Sequence, residues 1–212
     1  NYPFLEYLAK KGKPIIISTG LSEAYEIDKA VKVIESAGNK QITILHCVAT
    51  YPPEDSDVNL NNIKTLMSMY PDYPIGFSDH TLGTTIPLAA ISLGACVIEK
   101  HFTLDKSMEG WDHKISATSD EMSEIVQNAK RINEALGSFR ITATESQEKK
   151  REFRRSIVMT RNIQAGEIIK IEDIDYKRPG GGFDPGMTEF LVGRTVNKDL
   201  QYDHILSTQD IV

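Results

Sequence analysis

An α/β chain made of consecutive βα units, followed by a smaller β-rich domain, is predicted by three observations. Short apolar runs begin near positions 14, 42, 75 and 97, and each is followed by a stretch of helical periodicity, the spacing that βα units require. These runs are continuously apolar rather than alternating, as strands covered on both faces are. After Gly137 the pattern changes to short β segments punctuated by Gly and Pro.

Taken in order, Pro14 to Ser18 is a β-rich run closed by Thr19-Gly20. Ser22 with Glu26 then opens a helix whose apolar positions are Tyr25, Ile27, Ala30, Val31, Val33, Ile34 and Ala37, ended by Gly38. The unit repeats three times, as strand Ile42 to Cys47 with helix Leu60 to Met69, strand Ile75 to Ser78 with helix Thr84 to Leu93, and strand Val97 to Glu99 with helix Asp120 to Leu136. Pro87 falls in the first turn of its helix, where its missing N–H costs nothing. Four units make half of an eight-fold barrel. A four-stranded parallel sheet without partners leaves unpaired edges, so two architectures stay open: a doubly wound sheet, or a barrel whose first four units are absent. Ala143 to Arg155 is polar and highly charged and reads as a solvated connector or a short exposed helix. From Ser156 the β segments are 156–160, 166–170, 176–178 and 193–196. The expected organisation is a βα domain over 1–140, a linker over 141–155 and a β domain over 156–212.

Charge narrows the partners. The net charge is -6 and no long basic run is present, which argues against nucleic acid or an anionic membrane and for small-molecule chemistry. Cys47 and Cys96, both in apolar runs, read as buried reduced thiols, so the cytoplasm is the expected compartment. The longest apolar stretch, Ile86 to Ile98, is interrupted by Pro87, Ser92 and Gly94 and is too short to span a bilayer. The chain starts at Asn1 without Met, as a fragment or processed chain would.

Two histidines carry the chemistry. His80 closes Ile75-Gly-Phe-Ser-Asp-His and His101 closes Cys96-Val-Ile-Glu-Lys-His. On neighbouring parallel strands both imidazoles point into one crevice, where Mn2+, Fe2+ or Zn2+ accepts nitrogen ligands and keeps positions open for substrate. Asp79 points to the opposite face and is expected to fix a helix or loop, whereas Glu99 shares the face of His101 and is either a functional carboxylate or a bystander. His46 precedes its strand end and reads as structural or as support behind the ligands. Ser18 reads equally as the cap of the following turn. His113 is expected to orient its loop or to do nothing, and His204 to lie at the surface. Lys177-Arg178-Pro179-Gly180-Gly181-Gly182 sets a guanidinium beside a flexible loop, able to reach an anionic or carbonyl group, although such a segment alone is usually a turn.

Taken together, Gly12-Lys-Pro-Ile-Ile-Ile-Ser-Thr-Gly20, Leu45-His-Cys47, Tyr51-Pro52, Gly76-Phe-Ser-Asp-His-Thr-Leu82, Val97-Ile-Glu-Lys-His-Phe-Thr-Leu104, Asp112-His-Lys114 and Lys177-Arg-Pro-Gly180 resemble, in this order, the sialic acid synthase family. That family includes N-acetylneuraminate, legionaminate and pseudaminate synthases and spore-coat polysaccharide synthases. The resemblance runs almost end to end. It implies a (β/α)8 TIM barrel, here only strands five to eight, followed by an antifreeze-like (SAF) domain, with roughly the first hundred or more residues absent. It further implies condensation of phosphoenolpyruvate with N-acetylmannosamine or a related 6-deoxy diamino sugar, giving a nonulosonic acid and phosphate. His80 and His101 then correspond to ligands of a divalent metal, usually Mn2+, with Mg2+ or Co2+ as substitutes. Ser18 and Ser78 correspond to donors to phosphoenolpyruvate, Tyr51 and Asp112 to sugar contacts, with Tyr51 also counted in the catalytic group, and Arg178 to an arginine delivered by the partner subunit of a domain-swapped homodimer. Ala49 and Trp111 depart from the pattern, Ala49 where Asn or Ser is common and Trp111 where Pro is common. Both touch the sugar side and bear on which sugar is accepted. A phosphate-binding Lys and Ser, a sugar-contacting Glu and an Asn-His region are implied ahead of Asn1, so the isolated 212 residues are expected to lack a complete phosphoenolpyruvate site. Two rival readings are a different metal-dependent barrel aldolase or lyase, and a non-catalytic carbohydrate-binding fragment.

Overall fold

Alternation between β-branched runs and amphipathic helices organises residues 1–139 in the computed structural model, which describes residues 1–212. The strands are β1 (Ile15–Ser18), β2 (Ile42–Cys47), β3 (Ile75–Asp79) and β4 (Ile98–Lys100). They form one parallel sheet in the order β1-β2-β3-β4. Register pairs Ser18 with Leu45, Cys47 with Ser78 and Ser78 with Glu99.

Strand alternation sorts the side chains onto two faces. Ile42, Ile44, Ile75 and Phe77 pack against α2 (Ala24–Ser36), α4 (Asn61–Met69) and α5 (Thr85–Ser92) in one apolar core that includes Val31, Ile34, Ile63, Leu66 and Ala90. The other face carries Ser18, Cys47, Ser78 and Glu99. Sequential strand order with the helical core on a single face is the wall of a curled half-barrel, whereas a doubly wound sheet reverses order and takes helices on both faces. Gly76 is required here because a Cβ would lie 2.5 Å from both the Val97 carbonyl oxygen and Leu45 Cδ2.

Helix ends follow local chemistry. Glu23 and Glu26 close a reciprocal capping box on α2, and Thr118 and Glu121 do the same on α6 (Ser119–Leu136). Two helices escape periodicity. α1 (Tyr2–Ala9) begins on an Asn1 cap with a proline in its first turn, and α3 (Asp55–Val58) is one turn long, too short to show a period. Cys96 corrects the expectation of two buried thiols: within residues 1–212 Cys47 is buried and Cys96, just ahead of β4, is exposed.

Residues 140–212 form a second unit. The charged stretch contains an exposed helix, α7 (Gln147–Phe153), started by Ser146 accepting from the Lys149 amide. β5 (Ser156–Met159) pairs antiparallel with β6 (Ile174–Lys177). The segments 166–170 and 193–196, read as strands, make only isolated bridges, Ile168 with Thr195 and Val196 with Ile211. Their backbones turn inward to cover a core of Ile157, Met159, Ile163, Ile169, Leu191, Val196, Leu200 and Leu206. The glycines after Arg178 are held rather than free. Gly180 donates to the Arg151 carbonyl at 2.6 Å and Gly182 to Ser156 Oγ at 3.1 Å, while a Cβ on Gly182 would sit 2.3 Å from the Leu206 carbonyl oxygen. No helix is long and apolar enough to cross a membrane.

Candidate active site

His80 and His101 follow directly on β3 and β4 and share the face of Ser78 and Glu99. Their ring centroids are 5.2 Å apart at an interplanar angle of 80°. Two imidazoles ligating one ion through bonds of about 2.1 Å place their centroids roughly 5 Å apart, so this pair fits a shared ion. Each ring is oriented from behind. His80 Nδ1 lies 2.9 Å from the Val48 carbonyl oxygen, which fixes a proton on Nδ1 and leaves the Nε2 lone pair free. Asp112 Oδ2 stands 3.4 Å from His101 Nδ1 and favours the same tautomer there. Within residues 1–212 no third His, Cys, Asp or Glu completes a cluster with them.

The Tyr51 ring covers the pair, 4.1 Å from the His80 centroid and 5.8 Å from that of His101. Ser78 Oγ donates to Glu99 Oε1 at 2.7 Å, which fixes a carboxylate on the face that bears both histidines, exposed rather than buried. Cys47 lies on the same face with Ser18 and Ser78 as neighbours; burial raises its thiol against the opposing pull of a Ser78 hydrogen bond. The thiol therefore stays protonated and acts as a small apolar filler.

The loop after β4 is folded back by a bridge between Phe102 and Ala117, in which the Ala117 amide donates to the His101 carbonyl at 2.7 Å. That return brings Asp112 to His101. His113 anchors the loop through Thr103 Oγ1 at 2.8 Å, whereas Trp111 is 98% exposed. A groove of about 540 Å3, lined by Thr19, Ser22, Cys47, Ala49 and Thr50 among others, opens at the carboxyl ends of β1 and β2 but includes neither His80 nor His101.

Thus Tyr51, Ser78, His80, His101 and Asp112 are brought together, while Ser18 lies two strands away from Ser78 at the end of β1. Arg178 lies in the second unit, its guanidinium 5.5 Å from the centre of the Phe153 ring. The Val48 carbonyl carries no side-chain signal, and only folding places it behind His80.

His46 faces the helices. It is buried, stacks on Phe77 and has Nε2 2.6 Å from the Val58 carbonyl oxygen, to which it donates. Burial lowers its pKa from 6.5, with the Val58 hydrogen bond acting the other way. Because the unfolded chain then binds the proton more readily, stability is intact above pH 6.5 and falls as pH drops below it. Melting temperatures between pH 7 and pH 5 are expected to fall less in His46→Gln than in the wild type; equal slopes would show that His46 titrates as it does unfolded.

A parallel half-barrel that gathers two imidazoles, a phenol and two carboxylates at its carboxyl edge has the layout of a barrel active site. Residues 1–140 match the NeuB family model and residues 154–212 the SAF domain model, and the chain belongs to the NeuB family. It is 46% identical over 212 residues to an uncharacterized protein of Methanocaldococcus jannaschii, covering 100% of this chain and 63% of that protein. It is 38% identical over 209 residues to N,N'-diacetyllegionaminic acid synthase of Campylobacter jejuni, covering 97% of this chain and 62% of the relative. Among solved structures, the spore coat polysaccharide biosynthesis protein SpsE of Bacillus subtilis superposes with a TM-score of 0.62 at 35% identity, over 100% of this chain and 64% of that one. The chain therefore spans less than two thirds of each of these proteins.

Proposed function

We propose that the full-length protein condenses phosphoenolpyruvate with an N-acyl amino sugar, N-acetylmannosamine or a related 6-deoxy diamino sugar, to give a nonulosonic acid and phosphate. The observation that carries this reading is the His80–His101 pair, 5.2 Å apart beneath Tyr51, in a NeuB-family chain 38% identical to a legionaminic acid synthase. A divalent ion, Mn2+ by preference with Mg2+ or Co2+ as substitutes, would be held by His80 and His101 and when bound supplies a Lewis acid for the aldehyde oxygen of the open-chain sugar.

The chain's own residues do the rest. Val48 and Asp112 hold the two rings in the tautomer that presents Nε2, and the outer oxygen of Asp112 accepts from sugar hydroxyls. Tyr51 forms one wall against the sugar and keeps water from the histidines. Ser18 is a short neutral donor to phosphoenolpyruvate, and Ser78 would become a second once its single hydroxyl proton turns from Glu99 to the substrate. C3 of phosphoenolpyruvate bonds to C1 of the sugar, water adds at C2, and phosphate departs by C2–O cleavage. Glu99, on the same face, would take the proton of that water. In this reading the four strands are the second half of a (β/α)8 barrel, Arg178 serves the site of the other subunit in a domain-swapped homodimer, and the protein works in the cytoplasm.

The test is phosphate release by the full-length protein from phosphoenolpyruvate with N-acetylmannosamine, and with 6-deoxy diamino sugars, at varied Mn2+. Release that requires sugar and metal together is expected. Carbonyl release from the product-like acid without phosphoenolpyruvate would instead identify an aldolase.

A further inference from the structure

Directly behind the two histidines lies a buried ion pair that the reaction itself does not use. Asp79 and Lys100 are register partners on β3 and β4, each immediately preceding a histidine, and both point away from the crevice. Lys100 Nζ lies 2.6 Å from Asp79 Oδ2, with side chains 1% and 0% exposed. The same ammonium donates to the Thr81 carbonyl at 2.6 Å, and Asp79 Oδ1 accepts from the Thr81 amide at 2.8 Å. His80 is thus the one residue between two that are tied to each other, and the tie reaches across to the strand that bears His101.

Stability alone is a poor reason for such a pair. Desolvating two charges offsets most of their attraction, and well-packed apolar replacements are often as stable or more so. What the pair fixes is the lateral position of one strand tip against the other. We propose that Asp79 and Lys100 are positioning residues, a clamp that sets the separation of the His80 and His101 rings and so the affinity of the site for a divalent ion. This rests on the reading that the two histidines share such an ion.

Mn2+ binding to the full-length protein, followed by the loss of the free-ion paramagnetic resonance signal, tests both. The wild type is expected to bind, and His80→Ala with His101→Ala to abolish binding. If the wild type binds no Mn2+, or the histidine variants bind it equally, the shared-ion reading fails and the clamp with it. The apolar pair Asp79→Leu with Lys100→Met, which also leaves the Thr81 amide and carbonyl without these partners, is expected to fold and to melt roughly 5 to 10 °C below the wild type yet bind Mn2+ roughly 10- to 100-fold more weakly. The amide pair Asp79→Asn with Lys100→Gln, which keeps hydrogen bonds to Thr81, is expected to recover affinity to within about threefold. A folded apolar pair with wild-type affinity overturns the clamp while leaving the shared ion standing. Should the apolar pair not fold, Asp79→Glu decides. It keeps both charges but lengthens one arm by a methylene, and unchanged Mn2+ affinity in it overturns the proposal.

Discussion

Replacing His80 by alanine is expected to lower the phosphate release proposed for the full-length protein by about 10³-fold or more, the several kcal/mol that a Lewis-acid centre would contribute to the barrier. The argument rests on orientation. With Nδ1 engaged by the Val48 carbonyl at 2.9 Å, the ring can present only Nε2 to the crevice. Tyr51, its ring centroid 4.1 Å away and tilted by 37°, leaves it little room to turn. Alanine removes the ligand and strands one carbonyl, a cost of about 1 kcal/mol that a well-packed core tolerates. The variant should therefore stay folded and lose its response to added Mn2+. A folded His80→Ala protein that keeps more than a tenth of wild-type turnover would remove the histidine pair from the chemistry.

The largest expected stability effect lies in the second unit. Asp210 is almost fully buried; its Oδ2 accepts from the Ser207 amide and hydroxyl at 2.7 Å each and from His204 at 3.1 Å, and Lys198 stands 2.7 Å from Oδ1. Burial alone would raise the carboxyl, but the Lys198 and Ser207 hydrogen bonds outweigh it and hold the pKa at about 2 against 3.8 in the open chain. A depressed carboxylate adds stability that is fully present above the unfolded value and is lost as pH falls through the folded one. Here that window runs from 3.8 down to about 2. The shift corresponds to about 2 kcal/mol, and Asp210→Ala, which also leaves the Ser207 amide unsatisfied, is expected to cost about 3 kcal/mol at pH 7. Hydrogen exchange of the Ile157 and Leu206 amides reads this unit specifically, since both lie in its core ladder. The gap between wild type and variant should shrink as pH falls from 4 towards 2; a gap independent of pH would mean that packing, not charge, does the stabilising. The same contacts qualify the surface assignment of His204, which is one arm of this network.

Legibility differed between the two units for a physical reason. In the first, each of β1, β2 and β3 is a local run of apolar residues followed by a helix that packs on it, which is long enough to be read, and the parity of Asp79 and His80 follows from the pleat alone. In the second, Ile169 and Val196 reach one small core from segments held only by the single bridges of Ile168 and Val196, and no run of residues there is long enough to show a period. Gly182 could be read as a turn residue, but its need for a bare Cα comes from the Leu206 carbonyl, twenty-four positions further along the chain. Cys96 reads as part of the apolar run, but it stands two residues ahead of β4 and is exposed.

Within the site, residue types and strand parity put two imidazoles and a carboxylate on one face, and the family pattern attached Tyr51, Ser78 and Asp112 to them. Sequence by itself determined which side chains were available and on which face of the sheet each would stand, because alternation and βα spacing are properties of neighbouring residues. Tertiary folding alone decided the distances: the 5.2 Å between the histidine rings, the Val48 carbonyl behind one of them, the Ser78–Glu99 bond, and the Asp79–Lys100 tie. Those contacts join strands and loops 21 to 32 residues apart, and only chain crossings that bring such segments together can set them.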